Sequence, residues 1–299
     1  MMQMFKGVLL LAMAFQAATA SQPTFRSAVS VVRVAAVARD HKGRFVPGLT
    51  ARDFEVFDDG KPRAISDFRQ DSAALSVALL FDVSGSMQGQ LAQARETASL
   101  VLGSLGPRDE AAVFRFDTRL EEARPFTEGQ KTLPLSMTTV VPFGATSLHD
   151  AIAKTAERAA TRDGRRRAVV VFTDGNDNAS RMTPSEVSGI ASAIDVPVYI
   201  VGVVSALDDP ASETAAASSE HSPLTGALAN LATWTGGQAF VVSSAAQRMV
   251  VARQIVDEMR HQYLIAIESS AVPGWHRLTL RVRNRDLTVR ARSGYIVGQ

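Results

Sequence analysis

Apolar and polar positions along the chain follow three successive patterns. In residues 21–74 they alternate in short runs. Val29, Val31, Arg33, Ala35 and Val37 fall on one face of a predicted strand, with Val32, Val34 and Ala36 on the other. Asp40-His41-Lys42-Gly43 reads as a turn and Thr50-Ala51-Arg52-Asp53 as a short capped turn. Phe54–Phe57 and Ala64–Phe68 are strand-like, and Asp59-Gly60 between them predicts a hairpin.

In residues 75–262 the pattern changes to strands alternating with helices. Val77–Phe81, Ala168–Phe172 and Val196–Val204 are continuous apolar runs, as expected of parallel strands buried on both faces. Leu91, Ala94, Ala98, Val101, Leu102 and Leu105 recur with helical spacing up to Gly106-Pro107. Further helices are predicted from Leu148 to Ala159, over Leu224–Thr235 and over Ala246–Gln262. Ala111–Asp117 and Leu120–Phe126 read as a hairpin at a sheet edge. The alternation predicts an α/β fold with a doubly wound, mostly parallel sheet.

Residues 263–299 return to strand alternation. Leu278, Leu280 and Val282 form one apolar face and Leu287, Val289 and Ala291 another. A lone two-stranded hairpin is marginal in water, so this segment is expected to pair with residues 21–74. The α/β domain would then be inserted in a small β-sandwich built from the N- and C-terminal segments.

Composition narrows the classes. The chain has 299 residues, 46% hydrophobic and 21% charged, and no cysteine, which excludes disulfides, thiolate metal sites and thiol catalysis. The sequence pI of 9.1 rests on a small positive excess, and nothing in the balance calls for nucleic acid. Residues 1–20 read as a signal peptide: Lys6, an apolar run over Val8–Phe15 and the small-residue pattern Ala18-Thr19-Ala20. The expectation is an exported protein, periplasmic or extracellular, with no membrane span.

The chemistry concentrates where strands end. Phe81-Asp82-Val83-Ser84-Gly85-Ser86-Met87 closes the first buried strand and places oxygen side chains at alternate positions. Thr146 precedes a helix, and Asp174 follows the apolar strand Ala168–Phe172. In a doubly wound sheet these three places share the rim where ligands bind. Two carboxylates and three hydroxyls are hard oxygen donors suited to Mg²⁺ or Ca²⁺.

Asp82-x-Ser84-x-Ser86, Thr146 and Asp174 together resemble the metal-ion-dependent adhesion site of von Willebrand factor A domains. The resemblance covers residues 75–262. Gly48-Leu49-Thr50, Asp53-Phe54-Glu55-Val56, Asp59-Gly60-Lys61, Gln262-Tyr263 and Arg292-Ser293-Gly294-Tyr295 further resemble the secreted von Willebrand A-related proteins of acidobacteria. The resemblance implies that Ser84, Ser86 and Thr146 contact Mg²⁺ (or Mn²⁺ or Ca²⁺) directly, and that Asp82 and Asp174 hold it through waters. It implies cation-dependent binding of a protein partner that presents an Asp or Glu.

Other readings stand beside this one. The same residues can merely cap helices and order loops, and a structural or assembly module whose metal only stabilises the fold is a competing class. A metal-dependent hydrolase is a third class, but there is no Gly-x-Ser-x-Gly elbow, and Ser84 stands where aspartyl phosphatases need a second carboxylate. His149 could be imagined as a base and is expected to be a hydrogen-bonded or surface histidine. The protein is therefore expected not to be an enzyme. Asp208, Asp209, Glu213 and Glu220 lie in the loop 205–223, either a linker or a source of a pseudo-ligand for the metal. Arg277, Arg281, Arg283, Arg290 and Arg292 are expected on one solvated face of a C-terminal hairpin, and Trp234 and Trp275 are expected to pack.

Overall fold

The computed structural model describes residues 31–70, 73–193, 195–204 and 226–298. The signal segment, Val29 and the loop 205–223 with Asp208, Asp209, Glu213 and Glu220 lie outside the described residues.

The first part of the chain forms β1 (Val31–Asp40), a 3-10 turn (Ala51–Asp53), β2 (Phe54–Asp58), β3 (Lys61–Arg63) and β4 (Ile65–Arg69). The middle part forms β5 (Leu75–Asp82), a 3-10 turn (Gly85–Gly89), α1 (Leu91–Ser104), β6 (Glu110–Phe116), β7 (Leu120–Glu128), α2 (Leu135–Thr139) and α3 (Leu148–Ala160). It continues through β8 (Arg166–Thr173), α4 (Pro184–Ala193), β9 (Val198–Val203), α5 (Gly226–Trp234), β10 (Ala239–Val242) and α6 (Ala245–Arg260). The last part forms β11 (Tyr263–Glu268), β12 (Gly274–Val282), β13 (Leu287–Ala291) and β14 (Gly294–Val297).

The middle strands form a sheet in the order β10-β9-β8-β5-β6-β7. All pairs are parallel except β6–β7, which closes one edge as an antiparallel hairpin. All eight residues of β5 are buried. Its alternation divides them between two cores: Leu75, Val77, Leu79 and Phe81 pack with α1 and α6, and Ala78 and Leu80 with α3, α4 and α5. Burial on both faces is why these strands carry no polar alternation. From β5 the chain winds outward to β6 and β7, and from β8 it winds the other way to β9 and β10. The winding therefore reverses between β5 and β8.

The remaining strands form two four-stranded antiparallel sheets, β13-β1-β11-β4 and β14-β12-β2-β3. They face each other across one core containing Val34, Ala36, Phe54, Val56, Tyr263, Ile265, Leu278 and Tyr295. This is the sandwich expected from the two terminal segments, and β4 and β11, which lead into and out of the central unit, are hydrogen-bonded neighbours with Arg69 opposite Leu264.

Two expectations about strand pairing need correction. Asp59-Gly60, with φ of 48° and 79°, does close a hairpin, but between β2 and the short β3. The segment Ala64–Phe68 was expected as its second arm and instead crosses to the other sheet as β4. Pro62, which has no N–H to donate, confines β3 to a sheet edge. The alternating runs of β12 and β13 were expected to form one hairpin and instead belong to opposite sheets. Both apolar faces point into the same core from opposite sides, so residues 283–286 form an arch between layers.

The expected arginine face is divided accordingly. Arg281 lies over the Phe57 ring at 5.1 Å, and Arg283 pairs with Glu55 at 3.0 Å. Arg290 bonds Gln238 and Glu258 of the central unit, and Arg292 is buried, bonded to the Arg33 carbonyl. Glu258 on α6 is fully buried and also receives Arg39 of β1 at 2.5 Å. One carboxylate thus joins α6 to two strands of the sandwich. Trp234 and Trp275, both partly exposed, line a cavity of about 480 Å³ along the same seam.

Candidate metal centre

Asp82 is the last residue of β5, and Asp174 directly follows β8. They lie at the carboxyl ends of the two strands between which the winding reverses. Loops leaving such neighbours on opposite sides of the sheet open a crevice, and ligands of doubly wound sheets bind there.

Each loop around the crevice is tied to the next. The Ser84 amide and hydroxyl both donate to Asp82 Oδ1, at 3.0 and 2.6 Å, and Ser84 Oγ lies 3.2 Å from Ser86 Oγ. The Gly85 amide donates to the Gly144 carbonyl at 3.0 Å, which brings the loop carrying Thr146 beside the serines. The Thr146 amide donates to Asn178 Oδ1 at 2.8 Å, and its carbonyl accepts from Asn178 and Ala179. That second set of bonds fixes the Thr146 loop against the loop that begins at Asp174. Asp82, Ser84 and Thr146 are buried, Asp174 is 9% exposed, and Ser86 is open to solvent.

Thr173 completes the arrangement and was not singled out from sequence. Its hydroxyl donates to Asp82 Oδ2 at 2.8 Å and accepts from the Gly175 amide at 3.0 Å. Position 173 reads as one more strand residue in the run before Asp174. Asn178 was missed for a related reason: its role is a contact across 32 residues. His149 is not directed at the crevice. Its Nδ1 lies 2.6 Å from Asp177 Oδ2, and burial holds the imidazole pKa below its ordinary value despite that carboxylate.

The electrostatics fit a cation. Asp82 receives hydrogen bonds only from neutral groups, Ser84 and Thr173, and among the described residues no Lys, Arg or His pairs with it or with Asp174. Burial, helped by the negative charge of Asp174, outweighs the hydrogen bonds from Ser84 and Thr173 and pushes the Asp82 carboxyl up to about 6. Two carboxylates sharing a crevice without a countercharge leave charge to be neutralised by a proton or a metal. Hydroxyls and carboxylates at this spacing are hard donors of the type Mg²⁺, Mn²⁺ and Ca²⁺ take.

Residues 77–176 match the von Willebrand factor type A domain. The central unit has the fold of that domain. An aerotolerance-related membrane protein from Bacteroides fragilis is structurally similar, with a TM-score of 0.51 and 18% identity over 62% of this chain and 98% of that one. BatB, a conserved hypothetical protein from Bacteroides thetaiotaomicron, gives a TM-score of 0.49 at 19% identity, over 62% of this chain and 98% of its own. A von Willebrand factor type A protein from Catenulispora acidiphila covers 91% of this chain and 76% of its own, at 13% identity and a TM-score of 0.49. No curated protein is detectably similar in sequence. Von Willebrand A domains are commonly protein-interaction modules, and many bind a divalent metal. No helix among the described residues is long and apolar enough to cross a membrane.

Proposed function

We propose that this chain is an exported, non-enzymatic module that captures a protein partner through a divalent cation. Asp82, Ser84, Ser86, Thr146 and Asp174 would hold the cation, with Mg²⁺ as the first choice. The observation that carries the reading is the carboxylate pair at the reversal point of the sheet: Asp82 accepts from the Ser84 and Thr173 hydroxyls, Asp174 from the Asn176 amide, and among the described residues no basic side chain pairs with either.

A cation held mainly by neutral hydroxyls keeps part of its charge available, and a carboxylate from a partner can replace one of its waters. The surroundings suit a protein surface. Phe143 and Val141 border the Thr146 loop and are 81% and 76% exposed, and the Phe143 amide is anchored to the Val83 carbonyl at 2.9 Å. An apolar contact beside a cation-bridged carboxylate supplies both the area and the specificity of an interface.

The test has two arms. In thermal melts, Mg²⁺ or Mn²⁺ is expected to raise the midpoint, and Ser84→Ala and Asp174→Ala to abolish the rise. Saturation at 100 times Kd corresponds to about 2.7 kcal/mol. In peptide display, binders selected in Mg²⁺ are expected to contain an Asp or Glu whose change to Asn or Gln ends binding, and to dissociate in EDTA. A melt shift without carboxylate-dependent binders would instead assign the metal a purely structural role. Absence of any shift would remove the metal bridge.

A further inference from the structure

The sandwich holds a second cluster, remote from the rim. Asp58 ends β2, Asp59 opens the turn after it, and His276 lies on β12. In each of these residues one polar atom is already engaged by the surrounding structure. Asp58 Oδ2 accepts from Arg63, at 2.8 and 3.1 Å, and from the Tyr295 hydroxyl at 2.9 Å. Asp59 Oδ1 accepts from the Arg277 amide at 2.9 Å. His276 Nε2 lies 2.8 Å from the Val272 carbonyl and carries a proton to bond it, and this bond and the Asp58 and Asp59 carboxylates hold the imidazole pKa above its ordinary value. The Tyr295 ring stacks on the imidazole at 5.2 Å.

The three remaining atoms converge. His276 Nδ1 is 2.9 Å from Asp59 Oδ2 and 3.3 Å from Asp58 Oδ1, and all three lie within 4.8 Å of one another. Without a metal, a proton on Nδ1 supplies the bond to Asp59 Oδ2, and a metal that displaced this proton would find three acceptors facing one point. Asp58 is 2% exposed, and its Oδ1 has no hydrogen-bond partner. The Nδ1 proton serves the nearer Asp59 oxygen and leaves the buried Asp58 Oδ1 without a hydrogen bond, although Arg63 pairs with the same carboxylate through Oδ2. A cation serves all three.

We propose that Asp58 Oδ1, Asp59 Oδ2 and His276 Nδ1 form a structural site for a borderline divalent cation of the Zn²⁺ class, distinct from the hard-cation site on the rim. One nitrogen and two carboxylate oxygens, with a fourth position open to water, suit tetrahedral zinc. Ligand bonds of about 2.1 Å place tetrahedral ligands roughly 3.4 Å apart, so the cluster needs to open by a few tenths of an ångström. Asp59, whose side chain is 50% exposed, has room to move. Metal-bound histidines typically donate their other N–H to a carbonyl, as His276 does to Val272. Bound there, the ion would fasten the β2–β3 turn to β12 in a protein that has no cysteine for a disulfide.

The experiment is calorimetric titration of the whole chain with Zn²⁺ in excess Mg²⁺, repeated on the Ser84→Ala/Asp174→Ala variant to remove the rim site. One equivalent of Zn²⁺ is expected to bind in both and to raise the melting midpoint. Asp59→Asn and His276→Gln should each weaken binding at least tenfold and remove the rise. Asp59→Asn changes an exposed group, so it keeps the test valid if the buried Asp58→Asn does not fold. No binding to the parent protein, or unchanged binding in Asp59→Asn and His276→Gln, would overturn the proposal. Loss of Zn²⁺ binding only in the rim variant would overturn it equally.

Discussion

Without a cation, Asp82 is driven toward its neutral form by burial and by the charge of Asp174, with its carboxyl pushed up to about 6. A carboxyl whose folded-state pKa lies above its unfolded value stabilises the fold at low pH and loses that contribution as pH rises through the folded value. A bound cation reverses the loss, because it favours the ionised form. The rise in melting midpoint produced by a fixed Mg²⁺ concentration is therefore expected to be larger at about pH 7.5 than at about pH 5. Equal rises at both would show that the cation binds without Asp82. The positions of Asp82, Ser84, Ser86 and Asp174 at strand ends and of Thr146 at a helix entry were legible because oxygen side chains there interrupt or flank apolar runs. Thr173 was hidden because a β-branched residue closing a strand signals nothing by itself. The Asp58, Asp59 and His276 group was hidden for a stronger reason: its members are 217 residues apart in the bond from His276 to Asp59, and only the pairing of β2 with β12 brings them together.

At the scale of elements, the buried strands and long helices announced themselves through periodicity, and the short connecting pieces did not. α4 was overlooked because its core positions are diluted by Ser, Gly and Ala, yet a start signal was present. The Thr183 amide and hydroxyl both bond Glu186 Oε2, the Glu186 amide donates back to Thr183, and Pro184 opens the helix. Strand pairing is the feature least legible in the sequence. Alternation says which face of β4 or β12 is apolar, and both sheets of a sandwich ask for the same alternation, so it cannot choose between them. Chain geometry constrains β10 more tightly. A Cβ placed on Gly237 would lie 2.0 Å from the Val198 carbonyl oxygen, a backbone atom unable to withdraw. Gly237→Ala is expected to destabilise the protein by about 3 kcal/mol, measured by denaturant unfolding. A near-neutral change would show that the turn after α5 is free to shift.

For the whole molecule, the principal polar tie across the seam is Glu258, buried on α6 and bonded to Arg39 and Arg290 from two sandwich strands. Removing it takes the carboxylate partner from both guanidinium groups and leaves Arg290 only its bond to Gln238 across the seam. Glu258→Ala is expected to cost about 3 kcal/mol, the lower end for breaking a buried ion network, because both arginines keep some access to water. Unfolding followed separately by Trp234 and Trp275 fluorescence would detect the two units losing cooperativity. Coincident, unchanged transitions would mean that apolar packing alone holds the seam.

The central unit is joined to the sandwich through β4 and β11, which are antiparallel neighbours with their connecting ends side by side. β5 leaves that junction at Leu75 and reaches the rim at Asp82, so the rim points away from the sandwich. A partner pulling on the rim therefore applies tension to both strands at the same end and in the same direction. The hydrogen bonds between β4 and β11 are not peeled apart by that tension. The pull passes sideways into the ladder between β11 and β1, whose six paired positions resist together in shear. Under the proposed function, the sandwich would then act as a mechanical mount for a protein gripped at its far tip.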